Sequence, residues 1–279
     1  MNPIIRTVYG AQLQTAQLLG QKYILKPNST LNQKLNIHKE LTFADTDVPA
    51  MRYITIGNGG HKFIMGSNGI PKPEPIQHTP RHAALYNHLP FVLRRINNDL
   101  NPTDRLKYRL RRIETHNGIQ YAAYYAKVLD LSTTLPELEL RTVVNNITNS
   151  SEFVPILQDL SPQPPAINST GVLTTTGDYI AATARVPFIM SETDINEFKD
   201  ACNIIFNDDS YAIISEIALC SGVDRAVTGN INGLVAGYTD AIGVQVTNFI
   251  SSFYAAKFTN QGINVMFDVG SVEPLLALN

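Results

Sequence analysis

The feature that most constrains the fold is a run of alternating residues on both sides of an Asn-Gly pair. Basic and apolar residues alternate over residues 106–114, which is the period of a half-buried strand. Asn117-Gly118 supplies the residues that a type I′ turn requires, and residues 119–131 provide the returning strand. The sequence therefore predicts a long antiparallel hairpin with one basic face.

The rest of the N-terminal half also predicts strands and extended chain. Residues 52–56 and 61–65 are short strand-like segments. The glycine-rich residues 57–60 and 66–69 follow them, so this region predicts a hairpin with two glycine-rich turns. Residues 1–50 are rich in Gln, Asn and Thr, and their apolar positions follow no sustained period. We expect this segment to be an arm that becomes ordered by lying on a partner.

The C-terminal half combines strands with one clear helix. Ser191 is followed by an acidic first turn, which predicts the start of a helix, and residues 211–219 and 262–269 predict strands. Residues 244–258 fit a helix and a strand equally well. The predicted fold class is α+β and strand-rich, with an antiparallel sheet or sandwich in the C-terminal half.

These patterns predict four regions along the chain. Residues 1–50 form the extended N-terminal arm, and residues 51–149 form a domain that contains the basic hairpin. The Ser- and Pro-rich residues 150–170 are the best linker candidate. Residues 171–279 form an acidic α+β domain with a sandwich-like sheet.

Charge is distributed unevenly between the two halves of the chain. Residues 1–150 contain 18 Lys and Arg against 10 Asp and Glu, whereas residues 151–279 contain 4 against 14. Oppositely charged halves attract each other. Three arrangements are open: the halves face each other within one molecule, they pack head-to-tail in a ring or fibre, or the basic half contacts nucleic acid.

Head-to-tail packing leads to a specific interface hypothesis. A basic surface around the hairpin meets an acidic surface of a neighbouring subunit, near the predicted helix. The alternation puts most aromatic residues on the face opposite the basic ones, which disfavours stacking on nucleic acid bases. The interface residues under this hypothesis are Arg94, Arg95, Arg105, Lys107, Arg109, Arg111, Arg112, Asp194, Glu197 and Asp200.

No motif predicts a catalytic, cofactor or metal site. The glycines at 57–60 lack the spacing of a phosphate-binding loop. His78, His82 and His88 lie close in sequence, but no Cys, Asp or Glu joins them at a ligand-like interval. Cys202 and Cys220 are expected to be buried free thiols, as in an intracellular protein. No run of residues is apolar enough to cross a membrane, and we expect no membrane partner.

Several segments resemble a family of virion structural proteins of tailed bacteriophages. They are Arg-Tyr-Ile-Thr-Ile-Gly-Asn-Gly-Gly-His at residues 52–61, together with residues 84–94, 98–102 and 267–275. Residues 215–222 are similar to sandwich elements of phage tail and collar proteins. The resemblance implies a part of a tail, baseplate or neck assembly, with no enzymatic residues to carry over.

The expected function is that of a ring-forming structural subunit of the tail or baseplate, with no enzymatic activity and no cofactor. Its partners are copies of itself and other virion proteins. Its location is the virion, after synthesis in the host cytoplasm. The alternatives are a head–tail neck or collar protein and, further away, a tail-associated hydrolase or a nucleic-acid-binding protein.

Overall fold

A computed structural model describes residues 4–145, 147–162, 173–231, 234–258 and 261–278. The protein is 49% strand and 19% helix, and its sheets are antiparallel, so the fold is largely β. The helices are α1 (Val8–Leu18), α2 (Leu31–Leu35), α3 (Pro102–Arg105) and α4 (Glu192–Phe206). The strands are β1 (Ile4–Arg6), β2 (Ala50–Gly57), β3 (His61–Met65), β4 (Pro71–Pro75), β5 (His88–Leu89), β6 (Val92–Arg95), β7 (Arg111–His116), β8 (Ile119–Tyr124), β9 (Lys127–Val128), β10 (Glu137–Val144), β11 (Ile147–Glu152), β12 (Leu173–Met190), β13 (Ile213–Ile231), β14 (Leu234–Ala255) and β15 (Ile263–Leu278).

The chain divides into two compact units whose boundaries differ from the predicted domains. Unit 1 comprises Met1–Leu129 and Ile189–Ile263, and unit 2 comprises Asp130–Phe188 and Asn264–Asn279. Most of the predicted acidic domain therefore belongs with the N-terminal half. The reason is strand pairing over long sequence distances, which residue patterns alone do not reveal.

Unit 1 is built around the long antiparallel pair β13–β14. Its main sheet has the order β1-β14-β13-β2-β5, and β9 also pairs with β2. Smaller sheets are formed by β6-β8-β7 and by β3-β4. Tyr53, Phe249 and Val246 are among the buried core residues of this unit. The ambiguous residues 244–258 are thus strand up to Ala255, followed by a short 3₁₀ turn.

The expected N-terminal arm is instead folded into unit 1. Thr7 caps α1 by accepting a hydrogen bond from the Gly10 amide at 3.0 Å. Leu31 and Leu35 of α2 are buried in the core. The Asn32 side chain donates to the Ala241 carbonyl at 2.9 Å and accepts from the Val244 amide at 2.9 Å. The polar residues that suggested an arm satisfy backbone groups of β14.

The Asn-Gly hairpin is confirmed, although it is shorter than predicted. Asn117 and Gly118 both have positive φ, 50° and 76°, as a type I′ turn requires, and β7 pairs antiparallel with β8. The predicted pairing of β2 with β3 is wrong, because β2 pairs with β13, β5 and β9. The glycine-rich turn at residues 66–69 does close a hairpin, in which β3 pairs with the Pro-rich β4. The predicted helix start is confirmed, since Ser191 and Asp194 form a capping box at α4.

Unit 2 contains one four-stranded sheet in the order β11-β10-β12-β15. The predicted linker overlaps this sheet, because β11 reaches Glu152 and a 3₁₀ turn follows at Leu157–Leu160. Residues 163–170 of the predicted linker lie outside the described residues. Buried side chains such as Val186 and Phe188 are few in this unit compared with unit 1.

Candidate functional surfaces

Most basic residues of the predicted interface have carboxylate partners in the same chain. Arg111 contacts Asp99 at 2.6 Å in a buried pair, and the Tyr124 hydroxyl donates to the same carboxylate at 2.6 Å. Arg109 contacts Asp224 at 3.0 Å. Two further basic residues have partners close in sequence, namely Arg112 with Glu114 at 2.6 Å and Lys107 with Asp104 at 2.8 Å.

The acidic helix α4 meets the basic segment inside unit 1. Glu197 forms an ion pair with Arg94 on β6, and Asp194 pairs with Lys127 at 2.8 Å. Burial raises the pKa of Glu197, and Arg94 opposes that rise. Of the three arrangements considered for the charged halves, the described residues show contact within one molecule.

Two of the predicted interface residues are exposed and have no ion pair among the described residues, namely Arg95 and Asp200. They line a shallow hollow of about 300 Å³, together with Arg94 and Glu197. Arg105 differs from both, because it is buried and its guanidinium lies 3.7 Å from the centre of the Tyr238 ring. A charge-based contact with a neighbour would therefore use far fewer residues than the sequence suggested.

Sequence reasoning missed a buried carboxylate, Glu216, in the middle of β13. Its oxygens accept hydrogen bonds from the backbone amides of Gly59, Tyr86 and Asn87, each at 2.9 Å, and lie 2.8 Å from Nε2 of His78. Burial opposes its charge, yet these hydrogen bonds outweigh that effect and lower the pKa of Glu216. An acid inside an otherwise apolar strand was the available signal.

His78 is enclosed from both sides. Its ring stacks 4.2 Å from that of Tyr86 and 3.9 Å from that of Phe249, and its Nδ1 lies 3.1 Å from Nδ1 of His82. Both His78 and Glu216 are almost completely buried. Through these hydrogen bonds, Glu216 and His78 act as a clamp that ties the segments around Gly59 and Tyr86 to β13.

The remaining titratable candidates occupy structural positions. Cys202 and Cys220 are free and buried, as expected, and burial raises the pKa of Cys220 to about 12. Within the described residues, no group of His, Cys, Asp and Glu side chains is placed to hold a metal ion. No helix of the described part of the chain has the length and apolar character needed to span a membrane.

Unit 2 exposes apolar side chains on one face of its sheet. The register of β10 with β11 and β12 places Leu138, Leu140, Val144, Ile147 and Ile180 on the same face. Leu138, Val144 and Ile147 are 44%, 52% and 64% exposed, whereas Leu140 and Ile180 are half-buried. The opposite face of β10 carries Glu137, Glu139, Arg141 and Val143, and there Arg141 contacts Glu139 and Asp268.

The segment after β11 also exposes apolar side chains. Val154 and Ile156 are exposed, and Leu157 and Leu160 remain 78% and 80% exposed in their 3₁₀ turn. Scattered apolar residues are normal on protein surfaces, whereas contiguous ones mark interaction sites. This apolar surface of unit 2, defined by the five sheet residues above and these four, is the best candidate for a docking site.

Comparison with known proteins links the whole chain to one family. The family model of DUF7208, a family of unknown function, matches residues 1–279. No curated protein and no solved structure matches the chain.

Proposed function

This chain belongs to the DUF7208 family, and we propose that it is a structural subunit of a tailed-bacteriophage virion. In this role it is a non-enzymatic, ring-forming part of the tail or baseplate. It docks on copies of itself and on neighbouring virion proteins, and its final location is the virion. The phage assignment depends on the resemblance of residues 52–61 and the other quoted segments.

The observation that carries the assembly role is the apolar surface of unit 2. Leu157 and Leu160 are each more than three-quarters exposed, and burying such a side chain stabilises a protein by about 1.5–3 kcal/mol. A subunit whose partner covers these residues gains that stabilisation on assembly. The closed geometry around Glu216 supports a structural rather than a catalytic use of the conspicuous polar residues in unit 1.

We do not assign the proposed contact between subunits to the basic hairpin. Because Arg94, Arg109 and Arg111 already pair with carboxylates of their own chain, they are less suited to carry an interface. Among the described residues, Arg95 and Asp200 are the residues of the original hypothesis that are exposed and have no ion pair within the chain. We therefore assign the main docking role to the apolar surface of unit 2.

A matched pair of variants on β10 tests this function. Val143 and Val144 are adjacent and similarly exposed, at 42% and 52%, but they point to opposite faces of the sheet. We expect Val144→Lys to leave the purified protein folded and to prevent its incorporation into particles, because a charge then lies on the docking face. Val143→Lys should be incorporated normally.

The readout is quantitative mass spectrometry of purified virions, with circular dichroism of each purified variant as the folding control. Wild-type chain should be present in several copies per particle, and labelling in electron micrographs should place it at the tail or baseplate. A label at the head–tail junction would support the neck or collar alternative. Absence of the wild-type chain from particles would reject the proposal.

A further inference from the structure

Strand β11 is an edge strand that nothing in the described part of the chain covers. It pairs with β10 alone, and all six of its residues are exposed. An edge strand presents a row of unpaired backbone N–H and C=O groups to any strand that can align with it. One of its side chains, Ile147, belongs to the apolar surface of unit 2.

The two edges of the unit 2 sheet differ in how they are protected. Strand β15, at the other edge, contains Pro274 and carries the carboxylates of Asp268 and Glu273. Proline and inward or outward charges on an edge discourage pairing with another strand. Strand β11 reads Ile-Thr-Asn-Ser-Ser-Glu, with no proline and no lysine, and its one charge is at its end.

We infer that β11 pairs with β11 of a second copy of this chain, in antiparallel orientation about a two-fold axis. The contact joins two four-stranded sheets into one continuous sheet and satisfies the exposed backbone groups of both edges. The inference rests on the proposed function, since it names one of the contacts through which that assembly forms.

The apolar surface restricts the register of this pairing. Side chains alternate between faces, so residues of equal parity must lie opposite each other if the two apolar faces are to be continuous. Centring the axis on Asn149 meets this condition: Ile147 lies opposite Ser151 of the second copy, and Thr148 lies opposite Ser150. The two Asn149 side chains then face each other, and their amides can hydrogen-bond to one another.

Charge favours a second copy as the occupant. Residues 147–151 carry no charge, so an antiparallel copy of the same strand brings no like charges opposite each other. Glu152 lies outside the paired segment in this register. Because a two-fold contact joins subunits in pairs, the proposed ring would be assembled from such pairs through additional contacts.

Opposite charges placed at the axis test the inference. Asn149→Lys puts two ammonium groups face to face, and Asn149→Asp puts two carboxylates face to face. Each variant alone should associate with itself about fivefold to tenfold more weakly than wild type. An equimolar mixture of the two should recover association, because every mixed pair brings a Lys opposite an Asp.

Sedimentation velocity over a range of concentrations measures the association, and native mass spectrometry identifies the mixed pair. Recovery in the mixture excludes misfolding as the cause of weakening, because misfolded chains would not be rescued by mixing. The inference is overturned if wild type is monomeric at all concentrations, or if each variant associates as strongly as wild type. It is likewise overturned if both variants are weakened and the mixture is not rescued. If β11 pairs with a strand of a different virion protein, the purified wild type has no self-association through β11, which also overturns the inference.

These outcomes are separate from a failure of the proposed function. If Val144→Lys is excluded from particles while the Asn149 variants pair like wild type, the assembly role stands and the β11 pairing falls. If the wild-type chain is absent from particles, the proposed function falls whatever the result at Asn149.

Discussion

The two units of this protein use their side chains in opposite ways. In unit 1 apolar residues such as Tyr53 and Phe249 are buried, and buried charges such as Glu216 and Asp99 have several hydrogen-bond partners. In unit 2 a sheet of comparable polarity leaves Val144 and other large apolar residues exposed. This contrast is the reason why we assign the proposed docking role to unit 2 and not to unit 1.

Layering explains the difference. A sheet with an apolar face needs a second layer, and in unit 1 the helices α1 and α2 pack against β14 while α4 packs against β6. Among the described residues of unit 2, the short turn at Leu157–Leu160 is the only helical element. The apolar face of its sheet is thus available for a layer supplied by a partner.

The largest expected effect on stability comes from removing the buried charge of Glu216 in unit 1. We expect Glu216→Gln to destabilise unit 1 by about 4 kcal/mol, because His78 and the Tyr86 amide lose their charged acceptor. Urea unfolding followed by tyrosine fluorescence measures the change. The control is Glu152→Gln on exposed β11, which should change stability by less than about 0.5 kcal/mol. Equal effects at both positions would contradict the contrast.

Protonation of a buried histidine gives the next largest effect. Burial lowers the pKa of His88 to about 4 from a usual 6.5, and its Nε2 accepts a hydrogen bond from the Leu85 amide at 3.1 Å. As pH falls from 6.5, the unfolded chain binds a proton that the folded chain excludes, so stability decreases. The loss should approach about 3 kcal/mol near pH 4.

The variant His88→Gln isolates this contribution, because its amide oxygen can accept from Leu85 without titrating. Above pH 6.5 the unfolding free energies of wild type and variant should differ by a constant amount, and below pH 6.5 the wild type should lose stability relative to the variant, by about 3 kcal/mol at pH 4. Parallel curves over the whole range would show that His88 is protonated equally in the folded and unfolded chains.

The smallest effect on stability is expected in the exposed turn of unit 2. The double variant Leu157→Ser with Leu160→Ser should change the unfolding free energy by less than about 0.5 kcal/mol per site, since both side chains are already in water. The same variant should weaken assembly into particles. Gln158→Ser, in the same turn, is the control that should leave assembly unchanged. A marked loss of stability in the double variant would show that unit 2 buries these leucines within the monomer.

Part of the fold was predictable because it depends on neighbouring residues. The Asn117-Gly118 turn has a local cause, since both residues tolerate positive φ, and Ser191 caps α4 through an amide three residues away. The general strand-rich, antiparallel class followed from the same kind of pattern. The candidate docking surface could not be predicted from the sequence. Whether Val144 or Leu157 is exposed depends on which other elements pack over it.

Other expectations failed for reasons of distance along the chain. The first 50 residues looked like an arm because their apolar residues are sparse, yet Leu31 is completely buried and Asn32 bonds to residues more than 200 positions away. The sequence predicted that the basic surface is available for a partner, whereas in the structure Arg94 pairs with Glu197 of the same chain. Contacts of this kind depend on how strands pair, and composition does not report it.

By itself the sequence determined the turns, the helix cap, the alternation of strands and the presence of two oppositely charged halves. Only the tertiary structure decided that residues of the two halves form ion pairs in unit 1, that Glu216 is clamped, and that β11 is an edge strand in the described part of the chain. The physical reason is the separation along the sequence over which each interaction acts. Backbone propensities and caps act over a few residues, whereas burial and ion pairing act between segments that come together only when the chain folds.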